Sequence, residues 1–212
     1  MNLSFRPVLR CMVGLLLLFA VVEIIYGIWI RPWTGRWGST DAEVGMSFPG
    51  DRFIKPGSET STRAITIHAP VSAVWPWIIR LGQERGGFFS YSFFENTFGA
   101  GMTNAEQILP GDRTIKVGDH FSYFENGPAG TYDIVDLVQE NQYMDVGGWC
   151  FLLQPVDDQT TRLLIRYPYV VGTDAGSRIF YYGMFESAHF IMESGMMMGI
   201  KTRAERNFSG QG

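Results

Sequence analysis

Few side chains in this sequence are suited to acid–base chemistry. The three histidines are His68, His120 and His189, and the first two lie at the ends of short strand-like patterns, which predicts surface or rim positions. His189 lies in a long helical pattern close to Phe185. If it points into a cavity, it could act as an acid or a base near neutral pH; otherwise it is an ordinary helix histidine with satisfied hydrogen bonds.

Motifs for metal binding and nucleophilic catalysis are absent from the sequence. It contains no His-x-x-x-His or Cys-x-x-Cys spacing, no Gly-x-Ser-x-Gly elbow and no phosphate-binding loop. We therefore predict no metal and no cofactor, and we assign no catalytic residue. The formal net charge of −4 and the lack of a basic stripe also argue against nucleic acid as a partner.

The segment 88–98 is crowded with aromatic residues, and the charged residues Arg85 and Glu95 lie beside or within it. This mixture predicts the wall or mouth of a pocket, because ligand pockets are mainly apolar with a few placed polar groups. Two interpretations of the charged residues stay open. They form an ion pair that closes the loop over a sheet, or they are polar anchors at the pocket mouth, with Arg85 meeting an acidic headgroup.

Several short strands are predicted to position these residues. Residues 63–68 alternate between apolar and polar as a half-buried strand does. Four more alternating runs cover residues 119–125, 131–138, 143–156 and 161–170. The gaps between them have hairpin length, which indicates an antiparallel sheet. Gly147-Gly148 predicts a bend or bulge within the third run.

Two helical patterns flank the strands. Pro70 begins a short helix that Pro76 should kink or split, because proline lacks the backbone N–H and clashes with the preceding turn. A proline-free stretch at 177–203 has the helical period and is the only element long enough to cover the sheet. Its methionines, Met192 among them, fill core gaps or line a cavity.

The N-terminal segment 11–30 has the character of a membrane span. It reads CMVGLLLLFAVVEIIYGIWI and carries one charge, Glu23. About 20 apolar residues cross a hydrocarbon core of roughly 30 Å. We predict a single-pass transmembrane helix here, with a cleaved signal peptide or a buried core helix as the alternatives. Arginines are nearly balanced at the two ends, so the side of the membrane that holds the folded domain stays open.

The chain therefore divides into five predicted parts. They are a flank at 1–10, the transmembrane helix at 11–30, a Gly-, Ser- and Pro-rich linker at 31–62, a folded domain at 63–204 and a flexible tail at 205–212.

Three stretches of the sequence resemble the START-like (SRPBCC, polyketide cyclase/dehydrase and lipid-transport) superfamily. They are ITIHAPVSAVWPWIIRLGQERGGFFSYSFFEN, NAEQILP followed by IKVGD, and MESGMMMGIKTRAE. The resemblance covers residues 63–204. It implies the α+β helix-grip fold, in which a curved antiparallel sheet surrounds a long C-terminal helix and leaves an apolar cavity. The superfamily includes lipid carriers, hormone receptors and cyclases, so the resemblance implies no particular activity.

We expect a membrane-anchored binding or carrier domain for a small hydrophobic or amphipathic ligand, either a lipid or a polyketide-like molecule. The alternatives are a cyclase- or dehydratase-type enzyme, with His189, Glu95 or Tyr91 as acid or base, and an interaction protein whose cavity is filled by its own side chains. The oligomeric state stays open. The predicted ligand-binding residues are Trp77, Arg85, Phe88, Tyr91, Glu95, Trp149, Tyr167, Tyr169, Phe185, His189 and Met192.

Overall fold

A helical unit occupies the N-terminal part of the chain. The computed structural model describes residues 5–97, 101–108, 115–124 and 131–209, apart from the side chains of some residues within helices and strands. Residues 1–35 form one compact unit and residues 36–212 form a second. The first unit consists of helix α1 (Phe5–Ile25), a π-helical turn (Tyr26–Ile30) and helix α2 (Arg31–Gly35).

The predicted membrane segment at 11–30 is helical, since α1 and the π-helical turn cover it. Among the residues that the structure describes, however, no helix combines the length and the apolar character needed to cross a membrane. The structure therefore gives no support to the transmembrane helix predicted there.

A six-stranded antiparallel sheet organises the second unit. Its strands are β1 (Glu59–Ile67), β2 (His120–Phe124), β3 (Thr131–Gln139), β4 (Tyr143–Val146), β5 (Trp149–Asp157) and β6 (Thr160–Tyr169). The order across the sheet is β1-β6-β5-β4-β3-β2. Strands β2 to β6 form the predicted meander, and β1 pairs with the last strand, with Arg63 opposite Ile165.

The single run predicted at 143–156 is two strands. Gly147 and Gly148 have φ of 61° and 90°, and they form the two-residue turn of the β4–β5 hairpin. Positive φ at both central positions gives the turn whose twist matches antiparallel strands, and glycine adopts it without steric cost.

Helices pack on both faces of the sheet or link its strands. They are α3 (Asp41–Gly45), a 3₁₀ helix (Pro49–Phe53), α4 (Val71–Ile78), α5 (Ser92–Thr97), α6 (Ala175–Phe180), a π-helical turn (Tyr181–Phe185) and α7 (Glu186–Ser209). Helix α4 continues through Pro76 and ends two residues later, so the predicted split is not observed. The final helical stretch extends to Ser209, beyond the predicted helix end and into the range predicted as a tail.

The range 31–62, predicted as a linker, contains short helices and the start of β1. Long-range polar contacts hold α3 and the 3₁₀ helix, and local apolar periodicity cannot reveal such contacts. Thr40 and Glu43 form a capping box at α3, and Arg162 of β6 donates to the Glu43 carboxylate at 2.8 Å. Arg166 donates to both carboxylate oxygens of Asp51 at 2.9 Å.

Both faces of the central strands are buried. Trp149, Phe151 and Leu153 of β5 belong to the main core, together with Met197 and Ile200 of α7. The intervening residues of β5, such as Leu152, belong to a second cluster with Phe48. Alternation along β5 therefore fills two apolar layers. A six-stranded antiparallel sheet packed by a long C-terminal helix confirms the predicted α+β class and is consistent with a helix-grip fold.

Candidate functional site

An arginine is fully buried between the sheet and α7. Arg63 shares one face of β1 with Ile65 and Ile67, which directs its guanidinium into the core. Its Nη1 donates to the carboxylate of Glu193 on α7, and its Nη2 donates to the Tyr169 hydroxyl at 2.9 Å. Burial works to lower the pKa of Arg63, but the nearby Glu193 and Tyr169 outweigh it and the pKa is raised. The guanidinium is therefore charged and paired.

The carboxylate of Glu193 has partners on both oxygens. Oε2 accepts from Arg63, and Oε1 accepts from the indole Nε1 of Trp149 at 3.2 Å. Burial raises the pKa of Glu193, and the attraction of Arg63 and the indole hydrogen bond offset this effect only in part. A buried charge pair adds little net stability, but it fixes how β1, β5 and α7 meet.

His189 lies one helical turn before Glu193. Its Nδ1 is 3.4 Å from Nη1 of Arg63 and 3.3 Å from the Tyr169 hydroxyl. An arginine nitrogen can only donate, so Nδ1 is an acceptor and the ring proton lies on Nε2. Burial, and then the charge of Arg63, lower the pKa of His189 to about 3. We call these four residues, Arg63, Tyr169, His189 and Glu193, the Arg63 cluster.

Aromatic rings form a continuous series from the 88–98 segment to the final helix. Phe88 stacks on Tyr123 with centroids 6.1 Å apart, and Tyr123 stacks on Trp149 at 5.9 Å. Trp149 meets Tyr167 edge-on at 5.6 Å. Tyr167 packs on the His189 imidazole at 4.0 Å, so the series ends on the Arg63 cluster. Geometrically favourable ring pairs of this kind add rigidity as well as buried area.

A cleft of about 140 Å³ opens beside this series of rings. Tyr123, Trp149 and Tyr167 line it, together with Phe53, Lys55 and Asp133. The cleft therefore reaches the aromatic rings that pack on His189. Its lining combines aromatic rings with polar groups, among them one acidic and one basic side chain.

The structure brings together many of the predicted ligand-binding residues. Those in the ring series or in contact with it are Phe88, Trp149, Tyr167, Tyr169, Phe185 and His189. Trp77 is fully buried and meets Phe89 edge-on at 5.3 Å, as a core residue. Met192 presents its backbone carbonyl to the Ser90 hydroxyl at 2.8 Å. Tyr91 is half exposed and packs beside Gly195.

Arg85 lies apart from the Arg63 cluster. Its guanidinium donates to the backbone carbonyl of His120 at 3.1 Å and to Asp119 at 3.3 Å, and it also pairs with Glu84. These contacts tie the loop after α4 to the start of β2, as the closing ion pair predicted for Arg85 would. The predicted partner of Arg85 is Glu95. Glu95 lies in α5, and its side chain is outside the described part of the structure.

Arg63 and Glu193 are functional candidates beyond the residues predicted from the sequence. A signal for Arg63 was present, since it stands at the apolar-face position of an alternating strand. Glu193 follows His189 by four residues, so the two share a helix face. Within the described ranges, no group of three or more His, Cys, Asp or Glu side chains could hold a metal ion.

Comparisons with known proteins give weak likenesses. No family model and no curated protein matches the chain. Among solved structures, the KanY protein aligns at 12% identity over 70% of this chain and 99% of its own, with a TM-score of 0.44. The polyketide_cyc-like protein Cgl2372 from Corynebacterium glutamicum aligns at 17% identity over 74% and 86%, with a TM-score of 0.32. CalC from Micromonospora echinospora, a self-sacrificing resistance protein, aligns at 12% over 72% and 96%, with a TM-score of 0.37. These values assign neither family nor function.

Proposed function

We infer that residues 36–212 form a binding domain for a small, mainly apolar molecule, which enters the cleft beside Tyr123, Trp149 and Tyr167. The observation that carries this inference is the position of the cleft. It opens onto aromatic rings that a buried, hydrogen-bonded cluster holds in place. Rings fixed in this way lose little side-chain freedom when a ligand binds. The entropy cost of ordering them therefore does not cancel the free energy gained from apolar contact.

The volume of the cleft limits the ligand. Drug-sized ligands fill pockets of about 300–1,000 Å³, whereas a cavity of about 150 Å³ holds a benzene ring. At about 140 Å³ the cleft accepts one small ring or a branched group of similar size. This favours a compact amphipathic molecule, or one end of a larger ligand, over a carrier that encloses a whole lipid.

The acid–base chemistry of the site favours binding over a cyclase-type enzyme. A pKa of about 3 leaves His189 neutral at physiological pH, with its Nδ1 lone pair directed at Arg63 and Tyr169. A general acid or base works best with a pKa near the operating pH. His189 is the candidate acid or base in the site, but its low pKa makes it a poor catalyst at physiological pH. Its role is to position the neighbouring rings.

Ligand titration followed by NMR tests this proposal. The full-length chain, labelled with ¹⁵N-tryptophan, is titrated with benzyl alcohol, and the Trp149 indole signal is assigned by its loss in Trp149→Phe. We expect a saturable shift of that signal. Ser58→Trp should abolish the shift because Ser58 lines the cleft, while Ser72→Trp, at an exposed position on α4, should leave it intact. A Trp149 signal that does not move up to the solubility limit of the probe would refute the proposal.

We also propose that the N-terminal unit attaches the protein to a membrane. Support comes from the apolar side chains of α1 that are exposed, among them Leu15, Leu17 and Leu18. An exposed apolar surface of this kind marks a site that contacts a membrane or another protein. After cell lysis, the full-length chain should sediment with membranes and resist a sodium carbonate wash. Release by the wash, or recovery of the chain in the supernatant, would exclude firm attachment.

A further inference from the structure

Asp133 is the acidic side chain among the residues that line the cleft. The hydroxyl of Tyr123 donates to its Oδ2 at 3.0 Å. The carboxylate also packs against Gly147, where an added Cβ would lie 3.4 Å from Cγ and 3.6 Å from each oxygen. Asp133 is therefore anchored at the cleft by a ring hydroxyl and by the β4–β5 turn, and a fixed carboxylate favours a cation nearby.

The pKa values of the two tyrosines at the cleft reflect burial first and nearby acidic groups second. Burial is the main cause that raises the pKa of Tyr123, and the negative charge of Asp133 raises it further. Burial also raises the pKa of Tyr167, with contributions from Tyr169, Glu193 and Asp133. Burial disfavours a charged group of either sign, so only the contribution of the Asp133 carboxylate to these pKa values favours a positive group at the cleft.

The walls of the cleft add a second preference for positive charge. Four of its lining residues are aromatic: Phe53, Tyr123, Trp149 and Tyr167. The face of Phe53 already carries the Arg52 guanidinium, 4.9 Å from the ring centroid. The face of an aromatic ring carries the negative part of its quadrupole, and ammonium groups bind over such faces. Lys55 is the opposing charge among the lining residues, on the flexible stem that lysine provides.

We propose that the cleft selects a small organic cation, an alkylammonium head about the size of a trimethylammonium group, over a neutral molecule of the same shape. The cation lies between the Asp133 carboxylate and the rings of Trp149 and Tyr167. This inference rests on the proposed binding function and names the charge of the ligand. The small volume and the fixed acid explain why a compact charged head fits better than a long apolar chain.

A pair of probes with one shape and two charges tests the inference. Choline and 3,3-dimethylbutan-1-ol differ in having a quaternary nitrogen or a quaternary carbon. Each is titrated into the full-length chain in a non-ionic detergent, with the Trp149 indole signal as the readout. We expect choline to bind at least about fivefold more tightly than the alcohol, as one cation–π contact supported by a carboxylate predicts.

Matched variants separate the charge from the shape. Asp133→Asn should remove most of the preference for choline and leave binding of the alcohol within about twofold. Lys55→Gln should instead strengthen choline binding. Asp158→Asn, in the exposed turn between β5 and β6, serves as the control and should change neither. Near-ultraviolet circular dichroism identifies any variant that has lost its fold, and the Lys55 variant then decides the question.

The possible outcomes distinguish this inference from the proposed function. Equal affinity for both probes would overturn the charge preference and leave the binding domain standing. Failure of both probes, together with failure of benzyl alcohol, would overturn both. A choline preference that survives in a folded Asp133→Asn variant, or is weakened in Lys55→Gln, would also overturn the inference.

Discussion

At the residue scale, the pair formed by Arg63 and Glu193 is buried on both sides, with each side chain about 1% exposed. Taking both charges out of water is costly, and their attraction roughly repays that cost. Removing one partner is a different matter, because the other charge is then left buried without compensation. The pair should therefore tolerate joint replacement by apolar residues far better than it tolerates either single change.

The substitution Glu193→Gln should lower the free energy of unfolding by about 3–5 kcal/mol, since Arg63 loses its counter-charge in the core. Urea denaturation of the full-length chain measures the change. The control is Glu106→Gln, because Glu106 pairs with Arg203 and Arg206 at the surface. Exposed pairs are worth about 0–1 kcal/mol. Equal losses in the two variants would mean that water reaches Arg63.

Asp145 provides a test that depends on pH. It is fully buried on β4, its Oδ1 accepts from the backbone N–H of Gly148 at 3.0 Å, and its side chain packs against Gly50. Burial raises the pKa of Asp145 to about 6, and the neighbouring Asp136 and Asp51 add to the rise. The folded state therefore holds the proton more tightly than the unfolded chain, whose aspartates have a pKa of about 3.9.

The resulting contribution to stability is complete below about pH 4 and is lost as the pH rises through 6. Asp145→Asn has no proton to lose, so the variant should gain stability relative to the parent between pH 4 and pH 7, by on the order of 2–3 kcal/mol. Chemical denaturation of both proteins across this pH range measures the difference. A difference that does not change with pH would contradict the buried, protonatable state of Asp145.

Several site residues could be predicted because they obey local periodicity. Trp149, Tyr167 and Tyr169 follow from strand alternation. For His189 the sequence left two alternatives open, a cavity position and an ordinary helix position. The Arg63–Glu193 contact could not be predicted in this way, since its partners are 130 residues apart in sequence. No local pattern says which distant side chain satisfies a buried charge.

At the scale of elements, the approach of α7 to the 88–91 segment explains two glycines within the helix. An added Cβ on Gly199 would lie 1.9 Å from the backbone oxygen of Phe89, and one on Gly195 would lie 2.6 Å from the Tyr91 ring. Phe89 itself has a φ of 55°, an unfavourable value for a side chain of this size. Glycine lowers the helix propensity of α7 at Gly199, but it allows the helix backbone to lie against the backbone of Phe89.

The substitution Gly199→Ala should therefore destabilise the fold by about 1–3 kcal/mol, because the helix must move away from Phe89. Gly183→Ala is the matched control, since a Cβ there would meet nothing within 4 Å. That change should be neutral or stabilise by up to about 1 kcal/mol, as alanine is the better helix former. Thermal unfolding monitored by circular dichroism compares them, and the same midpoint in both variants would rule out the close approach.

Element types were easier to predict than element boundaries. The meander and the final helix have clear apolar periods, so their residues could be assigned. Helix α3 and the 3₁₀ helix have no such period, and contacts from Arg162 and Arg166 on β6 hold them in place. Short elements that depend on tertiary ion pairs look like linkers until the fold is known.

At the scale of the whole molecule, the order of the strands determines where the fold is firmest. Strands β5 and β6 are paired on both sides and buried on both faces, whereas β1 and β2 are edge strands. The hairpin-length gaps predicted the meander of β2 to β6, but the place of β1 in the sheet could not be predicted, because alternation identifies a strand and not its neighbour. The position of β1 beside β6 depends on the packing of its Arg63 face against α7.

Amide hydrogen exchange should follow this order. Amides of Phe151, Leu164 and Ile165, in the two central strands, should exchange at the rate of global unfolding, and those of the edge strand β2 should exchange sooner. Exchange measured by mass spectrometry on the full-length chain resolves the two classes. Faster exchange in β6 than in β2 would contradict the observed strand order.

The separation between Arg63 and Glu193 has a consequence for protein synthesis. The ribosome adds Glu193 130 residues after Arg63, which takes on the order of ten seconds at ordinary rates of translation. During that interval Arg63 has no counter-charge, so its guanidinium must stay hydrated. The inner face of β1 therefore stays exposed to water. A chain that ends before residue 193 cannot complete its core without trapping a lone cation. We therefore expect a chain that ends before Glu193 to stay open and to be cleaved by proteases more readily than the full-length chain.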